Sequence, residues 1–160
     1  VFCSAYLYLS MSSFFESKGL NGMASWMNVQ FKEEQDHAIK FYNYVIAKGG
    51  RVLLKAIDKV DTEWINPLDV FQKTLKHEQK VTSLINNLYS IATDEKDYST
   101  QSELKWFIDE QVEEEKNAQD IIDTLKLLGD NGYGLYQFDK ELATRVYNPI
   151  PTAFNSTTVN

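Results

Sequence analysis

Only one cysteine, Cys3, occurs in the 160-residue chain. That excludes an internal disulfide and any cysteine-based zinc or iron–sulfur site, and Cys3 itself is expected to be a small buried residue rather than a reactive thiol. No apolar run reaches the roughly 18 residues of a membrane span, so no membrane partner is expected. Basic residues neither dominate nor cluster: 16 Lys and Arg stand against 23 Asp and Glu, for a formal net charge of −7 and a pI near 4.8. That balance argues against nucleic acid as a partner. No secretory signal is visible, although the chain begins at Val1 rather than Met, and the cytoplasm is the default location. There is no internal repeat and no low-complexity segment. The length suits one domain with a proper core.

What the chain has is helical periodicity. Residues 1–18 carry Ala5, Tyr8, Ser12 and Phe15 on one face, and Gly19 closes that helix. Asn21 is the expected N-cap of a second helix, which runs to Lys48 and stops at Gly49-Gly50. Pro67 opens a third, to about Thr93, from its first turn. A fourth runs from Tyr98 to Leu128 and is broken by Asp130-Asn131-Gly132. A short fifth is predicted over residues 135–146, offering Leu135, Tyr136 and Phe138 for packing between subunits. The end, with Pro149, Pro151 and a Ser/Thr/Asn-rich composition, reads as an irregular tail. Residues 49–66 show no strong helical pattern and could span roughly 60 Å when extended. The helix before them is only about 40 Å long. The connection can therefore cross the whole bundle, which predicts parallel second and third helices.

Three long helices carry a carboxylate in the middle of an otherwise apolar stripe. The second reads Met23, Met27, Gln30, Glu34, His37, Phe41, Tyr44. The third reads Leu68, Phe71, Leu75, Glu78, Thr82, Ile85, Leu88. The fourth reads Leu104, Phe107, Gln111, Glu114, Ala118, Ile121, Leu125. Spacings of three and four residues put each set on one face. The three acids lie within about two residues, roughly 3 Å, of their helix midpoints, so side by side they share one layer. Ionised carboxylates are costly in a core unless paired or metal-bound, and three beside a histidine would repel one another without a cation.

Glu34-x-x-His37 puts a carboxylate and an imidazole one turn apart, where both can grip one ion. Carboxylate-rich sites with one imidazole suit iron or manganese rather than copper or a structural zinc. Glu34 could bridge two ions. In the run 110–115, Glu110, Gln111 and Glu114 share a face, whereas Glu115 points elsewhere and is expected to be solvated. Glu33, Glu110 and Glu113 could build an auxiliary site. Tyr8 is either a core tyrosine or a redox-active group beside the metal. His77, about 100° around its helix from Glu78, is read as a surface or interface residue and not a ligand.

These residues match a family. Ser4-Ala5-Tyr6-Leu7-Tyr8-Leu9-Ser10-Met11, Glu33-Glu34-x-x-His37, His77-Glu78-Gln79, Glu110-Gln111-Val112-Glu113-Glu114-Glu115 and Gly134-Leu135-Tyr136-x-x-Asp139-Lys140-Glu141-Leu142 resemble the non-haem bacterial and archaeal ferritins over nearly the whole chain. The resemblance implies an all-α fold: a ferritin-like four-helix bundle with a long crossover between the second and third helices and a short fifth helix. That places residues 1–146 in the bundle and 147–160 in the tail. It implies a hollow twenty-four-subunit homo-oligomeric shell. It also implies oxidation of ferrous iron by dioxygen or peroxide at a di-iron ferroxidase centre, with the ferric mineral stored inside. By motif, Glu34 bridges the irons, His37 completes the first, and Glu78 and Glu114 complete the second. Gln111 and Tyr8 match nearby polar residues, and Glu33, Glu110 and Glu113 match a third iron site.

One position departs from the family. A glutamate ligand there lies seven residues before the tyrosine matching Tyr8, where this chain has Val1. An alternative is therefore a shell-forming structural subunit with an impaired centre. Haem-binding bacterioferritins fit less well: they carry methionine where Gln35 stands and a second Glu-x-x-His in the fourth helix, so no haem is expected. Rubrerythrin-like proteins need a four-cysteine iron site, and DNA-protecting mini-ferritins favour basic tails.

Overall fold

The structure, a computed structural model, describes residues 1–150. It contains five helices among them: α1 (Phe2–Ser17), α2 (Asn21–Ala47), α3 (Pro67–Asp94), α4 (Tyr98–Leu128) and α5 (Gly132–Leu142). None of these is long and apolar enough to cross a membrane. The chain resolves into two compact units: Val1–Glu63 with the segment from Gly132 onward, and Trp64–Asn131.

In the first unit α1 and α2 form an antiparallel hairpin. The Ser12 hydroxyl donates to the Ala24 carbonyl at 2.8 Å, so residues equidistant from the turn lie opposite each other. Ala5, Tyr8, Ser12 and Phe15 are all buried, as the stripe requires, together with Ser4, Met11 and Phe14. Cys3 breaks expectation: it is exposed, because it sits outside the face that Ser4, Ala5 and Tyr8 turn inward. After α2, Gly49 takes φ +80 and the Gly50 N–H bonds back to the Val45 carbonyl at 2.9 Å, a left-handed stop that an L side chain resists. Residues 50–64 then run without helix or strand. They lie against α1, where the Ser10 hydroxyl donates to the Asp61 carbonyl at 2.7 Å. A cavity of about 620 Å³ opens there, lined by Tyr6, Leu9 and Ser10 on one side and Ile57, Lys59 and Val60 on the other.

The start of α2 corrects the sequence reading. Asn21 is the first helical residue, not the cap, and the cap position, Leu20, contributes no side-chain bond. The orphan amides are met from far along the chain instead. Asp139 of α5 accepts from the Gly22 N–H at 3.1 Å and the Met23 N–H at 2.8 Å. A carboxylate at a helix N-terminus satisfies two unpaired donors and complements the dipole. The approach is so close that a Cβ on Gly22 would stand 1.7 Å from the Asp139 carbonyl oxygen.

The fifth helix also starts earlier than predicted, at Gly132 rather than Leu135, because α4 already stops at Gly129 with φ +54. It ends at Leu142 rather than Val146, and Arg145 then leaves the helix to contact α2. Phe138, expected between subunits, is buried within the chain, whereas Tyr136 is exposed.

In the second unit Asn66 caps α3 by accepting from the Asp69 N–H at 2.8 Å, while Asp69 accepts from the Ile65 N–H at 3.1 Å. Pro67 occupies the first turn as expected. Asp97 caps α4 through the Thr100 N–H at 3.1 Å. Three residues separate α3 from α4, and Gln101 donates to Thr93 across the turn at 2.9 Å, which sets the pair antiparallel. The α4 stripe is buried at all seven predicted positions, with Ile122 in addition. The α3 stripe is less complete. Phe71, Glu78 and Ile85 are buried, Leu68, Leu75 and Thr82 are half-buried, and Leu88 is 45% exposed. Val70, Thr74 and Ala92 take the remaining core positions, so the buried face is rotated slightly from the predicted one.

Candidate metal centre

Each unit buries polar and charged side chains of its own. On α2, Glu34 and His37 are 2% and 4% exposed, with Nδ1 of the imidazole 3.1 Å from Oε1 of the carboxylate. The i, i+3 spacing makes this contact local to the helix. Two donor atoms 3.1 Å apart are what one cation bonded to both at about 2.1 Å would span at roughly a right angle. The pair fits a cation without rearrangement of the backbone.

On α3 and α4, Glu78, Gln111 and Glu114 are 1%, 3% and 5% exposed. The Gln111 amide donates to Oε2 of Glu78 at 3.1 Å, to the Glu78 carbonyl at 3.2 Å and to the Thr82 hydroxyl at 3.2 Å. Thr82 in turn donates to Glu115 at 2.6 Å. Glu115 is therefore half-buried and bonded across to α3, not solvated as its place outside the stripe suggested. The chain Glu115–Thr82–Gln111–Glu78 holds the Glu78 carboxylate in one orientation. Such outer partners fix a ligand's geometry and its affinity.

Of the other residues singled out, Tyr8 is fully buried on α1. Glu33 and Glu110 are half-buried, Glu113 is exposed, and His77 is half-buried.

Three residues with clear structural roles escaped the sequence reading, Gly22, Asp139 and Arg145, and Thr82 was placed on its stripe without its bonds to Gln111 and Glu115. Asp139 lies within one of the matched stretches, but nothing local marks it as the cap of a helix more than a hundred residues earlier. Arg145 reaches α2 from beyond α5. It pairs with Glu33, donates to Oε1 of Gln30 at 2.8 Å and stacks 4.2 Å above the Trp26 ring.

Two residues further on, Tyr147 donates its hydroxyl to Asp36 at 2.6 Å. That bond, then burial, then the Asp36 and Glu33 charges push the phenol up from 10.0 to about 12. The folded state thus favours the neutral phenol. The contact stabilises fully below the unfolded value of 10.0, and the benefit is lost as pH rises through about 12. Tyr147→Phe is expected to cost about 1 kcal/mol near neutral pH and progressively less above pH 10. Denaturant unfolding at several pH values checks this, and a cost independent of pH would refute it.

The chain has known relatives. A ferritin-like domain model matches residues 1–128. The chain belongs to the ferritin-like domain family. The bacterial non-heme ferritin of Bacteroides fragilis (strain 638R) is 44% identical over 142 residues, which are 89% of this chain and 88% of that one. The bacterial non-heme ferritin of Staphylococcus saprophyticus is 40% identical over 147 residues, 92% and 88% of the two chains. Among solved structures, a closed form of the Archaeoglobus fulgidus ferritin engineered by site-directed mutagenesis superposes with a TM-score of 0.91. It is 45% identical, over 92% of this chain and 90% of that one. The fold of this ferritin-like chain is accordingly the all-α four-helix bundle with a short fifth helix.

Proposed function

We propose that the chain is an iron-storing ferritin subunit that oxidises ferrous iron at a centre formed by Glu34, His37, Glu78 and Glu114. The observation that carries the reading is the burial of three carboxylates, Glu34 on α2, Glu78 on α3 and Glu114 on α4, each at 5% exposure or less. Removing an ionised carboxylate from water costs several kcal/mol, a penalty a divalent cation offsets. The non-heme ferritin names of the relatives support the same reading and an iron cargo without haem.

Iron is the substrate here. Glu34 bridges two ferrous ions, His37 holds one, and Glu78 and Glu114 hold the other. Gln111 keeps Glu78 oriented while charge accumulates. Each ferrous ion gives up one electron. Dioxygen takes the pair with two protons to become hydrogen peroxide, or peroxide itself accepts them and becomes water. Hard oxygen donors favour the resulting ferric state. Glu33, Glu110 and Glu113 act as an auxiliary third site, and Tyr8 lies buried on α1 as a redox-active or supporting group. Storage requires an enclosed volume, which a homo-oligomeric shell of twenty-four copies supplies; closed symmetry is the usual outcome for such assemblies.

Light scattering together with anaerobic ferrous titration tests the reading. A particle many times 18.5 kDa that takes up two tight irons per subunit, and consumes oxygen on aeration, is expected. A monomer with no tight iron would sink it.

A second reading, a shell-forming subunit with an impaired centre, has one residue in its favour. Val1 offers no ligand where the resemblance places a glutamate. Val1→Glu should then strengthen the first iron and speed oxygen uptake. Unchanged stoichiometry and rate would dispose of this reading.

A further inference from the structure

We propose that the segment following α5 is a strap whose Arg145 guanidinium serves as an internal cation at Glu33, so that Glu33 receives iron only when Arg145 is displaced. The proposal rests on the auxiliary-site reading of Glu33 given above.

Three contacts fix the guanidinium on one face of α2. Its Nη2 pairs with Oε2 of Glu33, both side chains being 19% exposed. Its Nη1 donates to Oε1 of Gln30 at 2.8 Å, and Gln30 is fully buried. Its plane lies 4.2 Å from the Trp26 ring centroid. Trp26, Gln30 and Glu33 are spaced four and three residues apart, so they form one stripe. A planar fork can stack and donate in two directions at once, which an ammonium group cannot. The strap is held a second time beyond Arg145: Asp36 accepts from the Tyr147 hydroxyl at 2.6 Å and from the Ile150 N–H at 3.3 Å.

Glu33 adjoins Glu34 in sequence. The two acids are treated differently: Glu34 meets the His37 imidazole, whereas Glu33 already holds a permanent positive charge. A cation arriving at Glu33 must compete with that charge, and one at Glu34 need not. The consequence is an order of filling. The Glu34 centre loads first, and Glu33 becomes a ligand only at higher iron concentration, with release of the strap.

The test is anaerobic calorimetric titration of the assembled protein with Zn²⁺, a redox-inert probe. In the unmodified protein two tight steps and a weaker third are expected. Arg145→Gln should tighten the third step roughly tenfold, the scale of removing one partner of a partly buried ion pair, and leave the first two within about twofold. Arg145→Lys should fall between. Tyr147→Phe, which loosens the strap without touching Glu33, should tighten the third step by a smaller factor of about two to three. Circular dichroism and light scattering establish that each variant is folded and assembled.

Adding Glu33→Gln to Arg145→Gln should abolish the gain. A third step that is unchanged in Arg145→Gln, that persists without Glu33, or that is absent in every variant would overturn the proposal while the two tight steps still stand. Absence of the two tight steps would instead refute the proposed centre.

Discussion

Glu34→Gln is expected to abolish tight cation capture and to slow iron oxidation at least about a hundredfold, the upper end of what loss of a mere supporting contact costs a metal site. The amide keeps the shape of the carboxylate and can still meet His37 Nδ1, 3.1 Å from Oε1 in the unmodified chain, so no cavity opens. What is lost is the charge that would bridge two ions. The apo-protein should be as stable as before or more so, because a charge at 2% exposure is costly without its counter-ion. Stabilisation by added cation separates the two effects. A ligand at a hundred times its dissociation constant adds about 2.7 kcal/mol to the native state. Guanidinium unfolding with and without Zn²⁺ should show this gain in the unmodified protein and little of it in Glu34→Gln. If Glu34→Gln bound cations and oxidised iron normally, the bridging role would be wrong.

Gly22→Ala is expected to be the most destabilising single methyl group that can be added to the chain's described region. The new Cβ would stand 1.7 Å from the Asp139 carbonyl oxygen and 2.6 Å from its carbon, both backbone atoms that cannot rotate away. α5 must lift off the start of α2. That forfeits the Asp139 bonds to the Gly22 and Met23 amides and the burial of Phe138 and Leu142. Overpacking at about 1–3 kcal/mol plus a lost cap at about 1 kcal/mol sets the scale at roughly 2–4 kcal/mol. Because the strap follows α5, the raised Tyr147 phenol should return toward its ordinary value, visible as a tyrosinate titration displaced to lower pH. A loss of stability under about 0.5 kcal/mol, with that titration unmoved, would show that α5 docks by other means.

The two predictions draw on different kinds of information. Glu34 was conspicuous from the sequence, because a period-3.6 apolar stripe interrupted by an acid is a local pattern that helix geometry turns directly into a buried charge. The same logic located His37, Glu78, Gln111 and Glu114, all buried, and every position of the α4 stripe. It did less well on α3, where Leu88 is exposed and Val70 and Thr74 are buried instead, because a helix face is wide enough for the core to turn by a residue.

Helix bounds followed from local chemistry where the cap was local. Asn66 and Asp97 cap α3 and α4 with their own side chains. Bounds slipped where the cap was remote. Asn21 looked like a cap, but Asp139 does that work from the other end of the chain.

Residue identity and periodicity thus determined the presence of five helices, the inward face of α4 and the buried acids of α2, α3 and α4, since each depends on neighbours within about one or two turns. Tertiary structure alone decided that Gly22 must be glycine, that Glu115 bonds to Thr82 rather than to water, and that Arg145 and Tyr147 hold the chain's last described residues on α2. Those outcomes depend on which groups chain folding brings within about 3 Å of one another across long sequence separations, and no local period encodes such a meeting.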